Sequence, residues 1–357
     1  MSKSLTVQSS KYHYTVRFED HFDVALKHQI TPGDVVVVDG NVLRLYEQQL
    51  SFVPKDTRHI VIEPSEKQKS YQGVEPFIDH LIKSGFRKNN RLIAIGGGIT
   101  QDITAFSASI LFRGVDWIFY PTTLLAQCDS CIGSKTSINF GEYKNQVGGF
   151  YPPKEIIIDL QFLNTLSPLN FRSGMGELLH YYLISGKQDF ERMLAVYDRA
   201  FQDKNVLSDL IYHSLDFKRS YVERDEFDQG LRNVFNYGHS FGHAIETLTN
   251  YAIPHGIAVS IGMDIANYLS MKQGYIKREL YERMRSLLMK NWGDTQLTNI
   301  VLDDFISVLK KDKKAVGSEI YVILTKGPGK MFKTNLPVNQ EILDCLSDYF
   351  ESFDSFS

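Results

Sequence analysis

The sequence predicts a parallel α/β domain followed by a mostly helical domain. In the first half of the chain, short runs rich in Val and Ile alternate with longer amphipathic stretches. Such continuous apolar runs suit strands that are buried on both faces, as in a parallel sheet covered by helices. From about residue 167 these runs give way to long helical patterns. A chain of 357 residues is long enough for two domains, which we assign to residues 1–167 and 168–357.

The individual elements follow from the same patterns. We predict strands at residues 34–39, 59–63, 91–95, 117–120 and 155–159. Helices are predicted between the strands at residues 74–84 and 100–111, and in the second domain at residues 174–184, 200–223, 240–248, 255–274 and 277–291.

The composition is that of an ordinary globular protein, with 43% hydrophobic residues, 23% charged residues and a formal net charge of -3. This balance provides no basic field for a nucleic-acid backbone, which weighs against such a partner. No stretch approaches the roughly 20 apolar residues of a membrane span, and the first residues lack the apolar core of a secretory signal. We therefore expect a cytoplasmic protein that acts on neither membranes nor nucleic acids.

The cysteines are too few to form a disulfide framework, since the chain has three of them, which agrees with a reducing compartment. Cys128 and Cys131 form a C-x-x-C pair in the middle of the first domain. We interpret them as small buried side chains that happen to fall at this spacing. Thiol redox chemistry is the alternative.

A glycine turn follows the third predicted strand. Residues 91–95 run directly into Gly96, Gly97 and Gly98, and Asp102 stands four residues further on. Glycines here let a pyrophosphate approach the backbone, and the following helix offers free N–H groups at its N-terminus. The turn therefore predicts dinucleotide binding. Tight strand-to-helix geometry is the alternative, because the full G-x-G-x-x-G pattern is missing.

Three histidines cluster in the second domain. His239 and His243 are four residues apart and so lie on one face of the predicted helix, and His255 follows after a short loop. Such a cluster predicts a metal site, for which a carboxylate is the natural completing ligand. Glu177 is a candidate for that carboxylate, although spacing alone does not select it.

Several cations stand beside turn residues or aromatic positions. As a group they are either solvated surface charge or the lining of a pocket for phosphate and carboxylate. They are Arg113, Lys135, Lys144, Lys218, Arg232 and the cluster at residues 310–314.

Taken together, the motifs resemble the 3-dehydroquinate synthase family of sugar phosphate cyclases over about residues 35–325. The matching segments occur in the order expected for that family. They are GGGITQD (96–102), FRG (112–114), PTTLLAQCD (121–129), GSKT (133–136), KN (144–145), FYPPK (150–154), FRSGMGE (171–177), Arg232, NYGHSFGHAIE (236–246), HG (255–256) and GM (262–263).

The resemblance implies a Rossmann-like NAD domain joined to a helical domain, with the active site between them. It also implies a homodimer in which Arg113 reaches into the neighbouring site. By the same resemblance Glu177, His239 and His255 are the ligands of a divalent metal, Zn²⁺ or Co²⁺, and His243 is released for the substrate.

The remaining site residues are also carried over from the family. The NAD contacts would be Asp39, Asn41, Glu66, Lys69, Gly97, Gly98, Asp102, Thr122, Thr123, Phe162 and Thr165. The substrate and catalytic residues would be Arg113, Asp129, Lys135, Lys144, Asn145, Lys218, Arg232, Asn236, His243 and one lysine of residues 310–314.

The reaction implied is conversion of the seven-carbon keto acid phosphate 3-deoxy-D-arabino-heptulosonate 7-phosphate to 3-dehydroquinate, a step of the shikimate pathway. NAD would be reduced and regenerated within each cycle. Two positions depart from the family pattern: His180 stands where G-x-A-E-x-x-K has lysine, and Ile257 where H-G-E/Q has an acidic or amide residue.

Two other enzymes remain possible: the departures concern the exact substrate, and a dehydrogenase would have a similar fold and histidine spacing. One is a related cyclase of glucose 6-phosphate or sedoheptulose 7-phosphate, in which the position of Asn236 tends to be acidic. The other is a metal-dependent polyol or alcohol dehydrogenase, for which the phosphate-type cations would have no purpose. Asn236, together with Arg232 as partner for a carboxylate, favours the keto acid phosphate.

Overall fold

The computed structural model describes residues 3–53, 56, 58–141, 143–297, 300–310 and 319–354. The chain divides into two compact units. The first comprises Met1–Ser167 and Lys218–Phe227, and the second comprises Pro168–Phe217 and Asp228–Ser357. The change at residues 167/168 coincides with the predicted boundary, whereas no sequence pattern indicates that Lys218–Phe227 belongs with the first unit.

A seven-stranded sheet forms the centre of the first unit. Six neighbouring strands are parallel, and β1 pairs with β2 in antiparallel fashion at one edge, so the predicted parallel sheet is confirmed. The spatial order is β1-β2-β9-β6-β5-β3-β4. The strands are β1 Ser4–Val7, β2 Tyr14–Phe18, β3 Val35–Asp39, β4 His59–Ile62, β5 Arg91–Gly96, β6 Asp116–Pro121 and β9 Glu155–Ile158.

The strand order creates a switch point between β3 and β5. From β3 the chain continues outward to β4, whereas from β5 it continues in the opposite direction to β6. The register pairs Val38 of β3 with Ile95 of β5, and Gly96 with Pro121 of β6, so the carboxyl ends of these strands lie side by side. In open α/β sheets, ligands bind in the crevice outside the carboxyl ends at such a point.

Helices and a hairpin complete the first unit. The β7–β8 hairpin is antiparallel and lies outside the large sheet. A buried core of valines, isoleucines and aromatic rings joins the helices to the sheet. The elements are α1 Phe22–Gln29, α2 Gly40–Leu45, α3 Tyr71–Lys83, α4 Gly98–Ile110, a π turn at Ala126–Ser130, β7 Lys135–Phe140 and β8 Tyr143–Phe150.

The second unit is mostly helical, as predicted. Helix α9 is its central element, since residues 256–270 are buried except for Tyr268, and α5, α8 and α10 pack against it. One antiparallel hairpin, β10–β11, accompanies the helices. The elements are α5 Pro168–Ser185, α6 Lys187–Val196, α7 Lys204–Val222 (its residues 218–222 belong to the first unit), α8 His239–Leu248, α9 His255–Lys272, α10 Arg278–Trp292, α11 Leu302–Lys310, β10 Glu319–Thr325, β11 Met331–Pro337 and α12 Gln340–Asp354.

The predicted elements are present with shifts of up to three residues at their ends, except that α5 begins six residues before the predicted 174–184 helix and α7 begins four residues after the start of the predicted 200–223 helix. The hairpins, the first two strands and the helices α1, α2, α6, α11 and α12 were not predicted from the sequence. Among the residues that the structure describes, no helix is long and apolar enough to span a membrane.

Candidate active site

Glycines bring α5 and α9 together in the second unit. An ideal Cβ atom on Gly176 would lie 2.5 Å from the carbonyl carbon of Gly256, and one on Gly256 would lie 2.7 Å from the carbonyl carbon of Ser173. Any larger residue would therefore push the backbones apart. The Ser173 hydroxyl accepts a hydrogen bond of 3.0 Å from the Gly256 N–H at the same crossing. Glu177 and His255, the sequence neighbours of these glycines, are consequently brought together.

A second group of glycines brings α8 against α9. A Cβ atom on Gly242 would lie 3.0 Å from Cα of Val259, and one on Gly238 would lie 2.8 Å from the backbone nitrogen of Met263. Gly238 is also in the left-handed region, with φ 79°, and is the N-cap of α8. His239 is thus the first residue of the helix and lies beside the start of α9.

Glu177 lies at the centre of a group of metal-type donors. Its Oε1 atom is 3.1 Å from Nε2 of His255 and 3.6 Å from Nε2 of His239. The side chain of Glu177 is buried, while the two histidines are partly exposed. The donor atoms of the three residues all lie within 4.8 Å of one another. The structure therefore brings together the three residues that the sequence resemblance selects.

Charge interactions between Glu177 and the neighbouring histidines shift the pKa values in this cluster. Burial alone would raise the pKa of Glu177, but the neighbouring His239 and His255 hold that pKa well below its usual range. Burial opposes a charged ring on His255, yet hydrogen bonds to Glu177 and Glu246 raise the pKa of His255 to about 10. A metal bound here would displace a proton from each histidine nitrogen that binds it.

These donors fit a divalent ion such as Zn²⁺ or Co²⁺. Two imidazoles and one carboxylate form a typical catalytic set of three protein ligands with a further position open for substrate or water. A bound metal ion would compensate the negative charge of the buried Glu177 carboxylate and so favour its ionised form. The residues Glu177, His239 and His255 would hold the ion.

Further imidazoles surround the donor group. His243 is exposed, and its ring lies 5.6 Å from the rings of both His239 and His255. His180 is 1% exposed and lies edge-on to His239, with ring centroids 4.8 Å apart. Its Nδ1 atom is 3.7 Å from Oε2 of Glu177. His180 therefore contacts the cluster without belonging to the group of mutually close donors.

The short segment before α8 contributes polar side chains to the second unit. Arg232 is 5% exposed and belongs to a 3₁₀ turn over Leu231–Asn236, so it is not a surface residue. Asn236 is partly buried, and its amide donates a hydrogen bond of 3.1 Å to the carbonyl of Asn233.

In the first unit, the glycine turn lies at the switch point of the sheet. Gly96 ends β5, and a Cβ atom there would lie 2.5 Å from Oγ1 of Thr100, so close packing of the turn requires glycine. Gly97 is the N-cap of α4, which has no side-chain cap. A Cβ atom on Gly98 would meet nothing within 4 Å. The start of α4 is therefore open at Gly98, which suits an anion-binding helix N-terminus.

A buried ion pair lies behind the glycine turn. Lys69 is 7% exposed, and its Nζ atom is 2.6 Å from Oδ2 of Asp102 and 2.5 Å from Oδ1 of Asn145. Burial is the main cause that raises the pKa of Asp102, against the opposing charge of Lys69. Asn145 has φ 54°, a left-handed conformation that is uncommon for a residue other than glycine. Glu66 lies nearby and accepts a hydrogen bond of 2.8 Å from Asn139.

The other predicted cofactor residues follow the strands. Asp39 ends β3, and its side chain accepts hydrogen bonds from the backbone N–H groups of Asn41 and Val42 as the cap of α2. Thr122 and Thr123 follow β6, and the Thr122 N–H donates to the carbonyl of Gly96 at 3.0 Å.

The last two predicted cofactor residues, Phe162 and Thr165, contact aromatic side chains. Phe162 is 1% exposed and packs in the core, where its ring centroid lies 4.2 Å from that of Phe22. Thr165 is exposed, and its hydroxyl is 3.1 Å from that of Tyr46. Packing alone accounts for Phe162.

The predicted cations of the first unit are placed differently from one another. Lys218 is 6% exposed, and its Nζ atom donates to the carbonyl and to Oδ1 of Asp129 at 2.6 and 2.9 Å. Lys135 and Lys144 are exposed on the β7–β8 hairpin. Arg113 is exposed with φ 60°.

Hydrogen bonds from Lys88 stabilise the strained turn at Arg113. Phe112, with φ 49°, and Gly114, with φ 104°, share the left-handed region with Arg113. The ammonium group of Lys88 donates to the carbonyl oxygen of Phe112 at 3.0 Å and also to that of Gly114. Such strain is found at functional sites when the surroundings enforce it.

The cysteine pair is buried as expected. Cys128 and Cys131 are both free thiols, and burial raises the pKa of Cys131 to about 12. The predicted lysine cluster lies outside the described residues except for Lys310, the last residue of α11.

Sequence reasoning gave no role to Glu246, whose Oε2 atom lies 3.0 Å from Nδ1 of His255. Glu246 is seven residues after His239, so the sequence alone indicates that both residues lie on one face of the helix, two turns apart. The crossing of Gly176 and Gly256 was also missed, because a contact between distant helices leaves no local pattern.

Known proteins are similar to this chain over most of its length. The family model described as 3-dehydroquinate synthase N-terminal matches residues 59–173, and the model described as 3-dehydroquinate synthase C-terminal matches residues 174–315. Curated proteins named 3-dehydroquinate synthase are 33–38% identical over most of the chain. The one from Thermoanaerobacter pseudethanolicus (strain ATCC 33223 / 39E) is 33% identical over 353 residues, which cover 96% of this chain and 99% of that protein.

Two solved structures share the fold. A 2-deoxy-scyllo-inosose synthase complexed with carbaglucose-6-phosphate, NAD⁺ and Co²⁺ matches with a TM-score of 0.83 at 22% identity, over 97% of this chain and 100% of that one. The 2-epi-5-epi-valiolone synthase ValA from Streptomyces hygroscopicus subsp. jinggangensis 5008, with NAD⁺ and Zn²⁺ bound, matches with a TM-score of 0.82 at 24% identity, over 95% and 97%. The glycine turn, the donor group around Glu177 and the family matches agree, and the chain belongs to the 3-dehydroquinate synthase family.

Proposed function

We propose that the chain converts 3-deoxy-D-arabino-heptulosonate 7-phosphate to 3-dehydroquinate with loss of phosphate, in a reaction that depends on NAD and a divalent metal. The observation that carries this proposal is the donor group of Glu177, His239 and His255 in a chain of this family. When bound, the metal would polarise a substrate hydroxyl oxygen, and NAD would accept one hydride and return it within the same cycle.

In the second unit, the protein would hold the metal and the substrate carboxylate. Glu177, His239 and His255 would hold the ion, and a set of three protein ligands would leave a position for a substrate hydroxyl group. The buried Arg232 suits a carboxylate, because a guanidinium can form two parallel hydrogen bonds with it. His243 is close to His239 and His255 and exposed, so it is available to hold or move a proton of the substrate.

In the first unit, the protein would hold NAD and the substrate phosphate. The free N–H groups at the start of α4 suit the pyrophosphate of the cofactor. The salt bridge to Asp102 orients Lys69, whose ammonium group also donates to the side-chain oxygen of Asn145. The exposed ammonium of Lys135 suits a phosphate, and Lys218 is oriented by Asp129.

A homodimer in which Arg113 completes the neighbouring site is part of the same proposal. Its support is the left-handed turn over residues 112–114, which directs an exposed guanidinium and is stabilised by Lys88. Maintaining such a turn costs free energy, which a merely solvated arginine would not require.

A second candidate is cyclisation of a sugar phosphate that lacks a carboxylate. The observation in its favour is His180, a buried imidazole beside His239 at the position where the family pattern has lysine. A changed side chain next to the metal ligands would alter which substrate hydroxyl is accepted.

One set of assays tests both candidates. The purified protein is incubated with NAD, with Zn²⁺ or Co²⁺, and with each of the three sugar phosphates, and phosphate release, product mass and NADH absorbance are recorded. We expect phosphate and 3-dehydroquinate in equal amounts from the keto acid phosphate, without accumulation of NADH. Turnover of glucose 6-phosphate or sedoheptulose 7-phosphate alone would favour the second candidate. NADH formed in proportion to consumed substrate would contradict both and indicate a dehydrogenase.

A further inference from the structure

Glu246 lies next to the donor group of Glu177, His239 and His255 but is not a member of it. It is on α8, seven residues after His239, so the two side chains are on the same face of the helix. Its Oε2 atom is 3.0 Å from Nδ1 of His255, and its side chain is 12% exposed. This contact joins the last turn of α8 to the first residue of α9.

The two ring nitrogens of His255 have different carboxylate partners. Nε2 is 3.1 Å from Oε1 of Glu177, whereas Nδ1 is 3.0 Å from Oε2 of Glu246. A histidine that binds a metal through Nε2 must carry its ring proton on Nδ1. A carboxylate that accepts a hydrogen bond from Nδ1 fixes this tautomer and the orientation of the ring.

The segment between α8 and α9 holds this pair in place. The backbone N–H of Tyr251 donates to the carbonyl of Glu246 at 2.8 Å. Asn250 and Tyr251 both adopt left-handed conformations, with φ 50° and 61°, which reverse the chain after α8. The chain therefore returns to His255 by a tight turn, and Glu246 and His255 meet without a long mobile connection.

We propose that Glu246 is a positioning residue for the metal ligand His255. It acts by accepting a hydrogen bond from Nδ1–H of His255, so that the lone pair of Nε2 is free to bind the ion together with Glu177 and His239. This inference rests on the metal site of the proposed function. The competing role is direct binding of an ion by Glu246, because His243, Glu246 and His255 also have donor atoms within 4.8 Å of one another.

Affinity for metal is the first measurement. The metal-free full-length protein is titrated with Zn²⁺ against a chelator of known affinity, for the wild type, Glu246→Gln and Glu246→Ala. We expect Glu246→Ala to weaken zinc binding about 10- to 100-fold, the range typical of lost partners of metal ligands. Glu246→Gln should lose less zinc affinity, because its amide oxygen can still accept a hydrogen bond from Nδ1–H. Unchanged affinity in Glu246→Ala would overturn the inference.

The Co²⁺ absorption spectrum separates positioning from direct binding. A positioning role predicts that Glu246→Ala retains the band positions of the wild type, because the three ligands are unchanged. A changed coordination number, or loss of binding as complete as in His239→Ala, would overturn the inference and make Glu246 a ligand. Thr247→Ala is the matched control, since this exposed neighbour on α8 hydrogen-bonds to the carbonyl of His243.

A measurement on the wild type keeps the inference testable if the variants do not fold. Nitrogen NMR of the zinc-bound protein should show the proton of His255 on Nδ1, and a proton on Nε2 would overturn the inference. Because affinity is measured without substrate, its loss in Glu246→Ala supports the inference even if the wild type cyclises none of the sugar phosphates. That failure would contradict the proposed reaction alone.

Discussion

Gly176 and Gly256 face each other where α5 crosses α9, and neither position has room for a Cβ atom. Each glycine is the sequence neighbour of a proposed metal ligand, Glu177 and His255. The distance of 3.1 Å between those two side chains therefore depends on how closely the two backbones approach.

The substitution Gly176→Ala tests this relationship through the sign of the change in the free energy of unfolding. In a helix interior, alanine is ordinarily more stable than glycine by about 0.5–1 kcal/mol. Overlap with the backbone at Gly256 should reverse that sign and destabilise the protein by about 1–3 kcal/mol, as overpacking commonly does. Thermal and urea unfolding measure the change, and zinc titration should show weaker binding.

Gly149→Ala is the control for this substitution. A Cβ atom on Gly149 would meet nothing within 4 Å, so stability and zinc affinity should stay close to those of the wild type. If Gly176→Ala were more stable than the wild type and bound zinc equally well, the helix crossing would not determine the geometry of the donor group.

The metal ligands can be distinguished from a neighbouring imidazole. We expect Glu177→Gln and His239→Ala each to weaken metal binding more than about 100-fold, beyond the loss caused by removal of an indirect partner. Activity should disappear together with the metal. Elemental analysis and chelator competition provide the measurement, and full metal occupancy in both variants would contradict the ligand assignment.

His180→Asn is the matched comparison within the same cluster. His180 is buried against His239, but its nitrogens are not among the mutually close donors. The variant should retain metal while its preference among the sugar phosphates changes. Loss of metal in His180→Asn equal to that in His239→Ala would make His180 a fourth protein ligand.

The large sheet could be predicted from sequence because its central strands are buried on both faces. All five residues of β3 are buried, and such apolar runs are visible without any knowledge of their neighbours. The β7–β8 hairpin could not be predicted, since residues 143–150 are mostly polar or glycine and largely exposed. Its pairing with β7 is a tertiary contact that leaves no local pattern.

The distinction between local sequence patterns and tertiary contacts also applies to the candidate site. His239, His243 and His255 form a local pattern, whereas Glu177 comes from another helix and is selected only by family resemblance. The structure supplies the physical reason for its position in the glycine crossing. Glu246 was within the same local pattern, but a carboxylate on a helix is usually solvated, and only its contact with His255 distinguishes it.

Stability of the first unit should depend on pH through Asp34. Burial opposes ionisation of this side chain, but hydrogen bonds from Arg91 and Thr31 hold the pKa of Asp34 below its ordinary value. Because the pKa is lower in the folded state, the ion pair stabilises the protein above the unfolded pKa of about 3.9. This contribution is lost as the pH falls through the folded pKa.

Asp34→Asn should therefore destabilise the protein at pH 7 by about 1.5–3 kcal/mol, the range for hydrogen bonds to a charged group. The difference from the wild type should shrink as the pH is lowered below 4. Urea unfolding across this range measures the effect. Asp56→Asn is the control, because Asp56 and Arg58 form an exposed pair that solvent screens. A difference for Asp34→Asn that is independent of pH would contradict the ionic explanation.

Arg232 tests the substrate class directly. Arg232 is 5% exposed within the turn before α8, whereas a surface arginine would be solvated. If it binds a substrate carboxylate, two parallel hydrogen bonds are made that the point charge of lysine cannot reproduce. Arg232→Lys should then raise the barrier for the keto acid phosphate by about 1.5–3 kcal/mol, measured as a lower kcat/KM.

The controls for Arg232→Lys separate binding of the carboxylate from a general loss of structure. Affinities for NAD and zinc should be unchanged, because Arg232 is neither in the glycine turn nor among the metal donors. Arg278→Lys, on an exposed side chain of the same unit, should leave all three quantities unaltered. A loss restricted to the keto acid phosphate, with little change for substrates that lack a carboxylate, is the expected result. If turnover of the keto acid phosphate is unaffected, Arg232 does not bind a carboxylate and the second candidate reaction takes the place of the first.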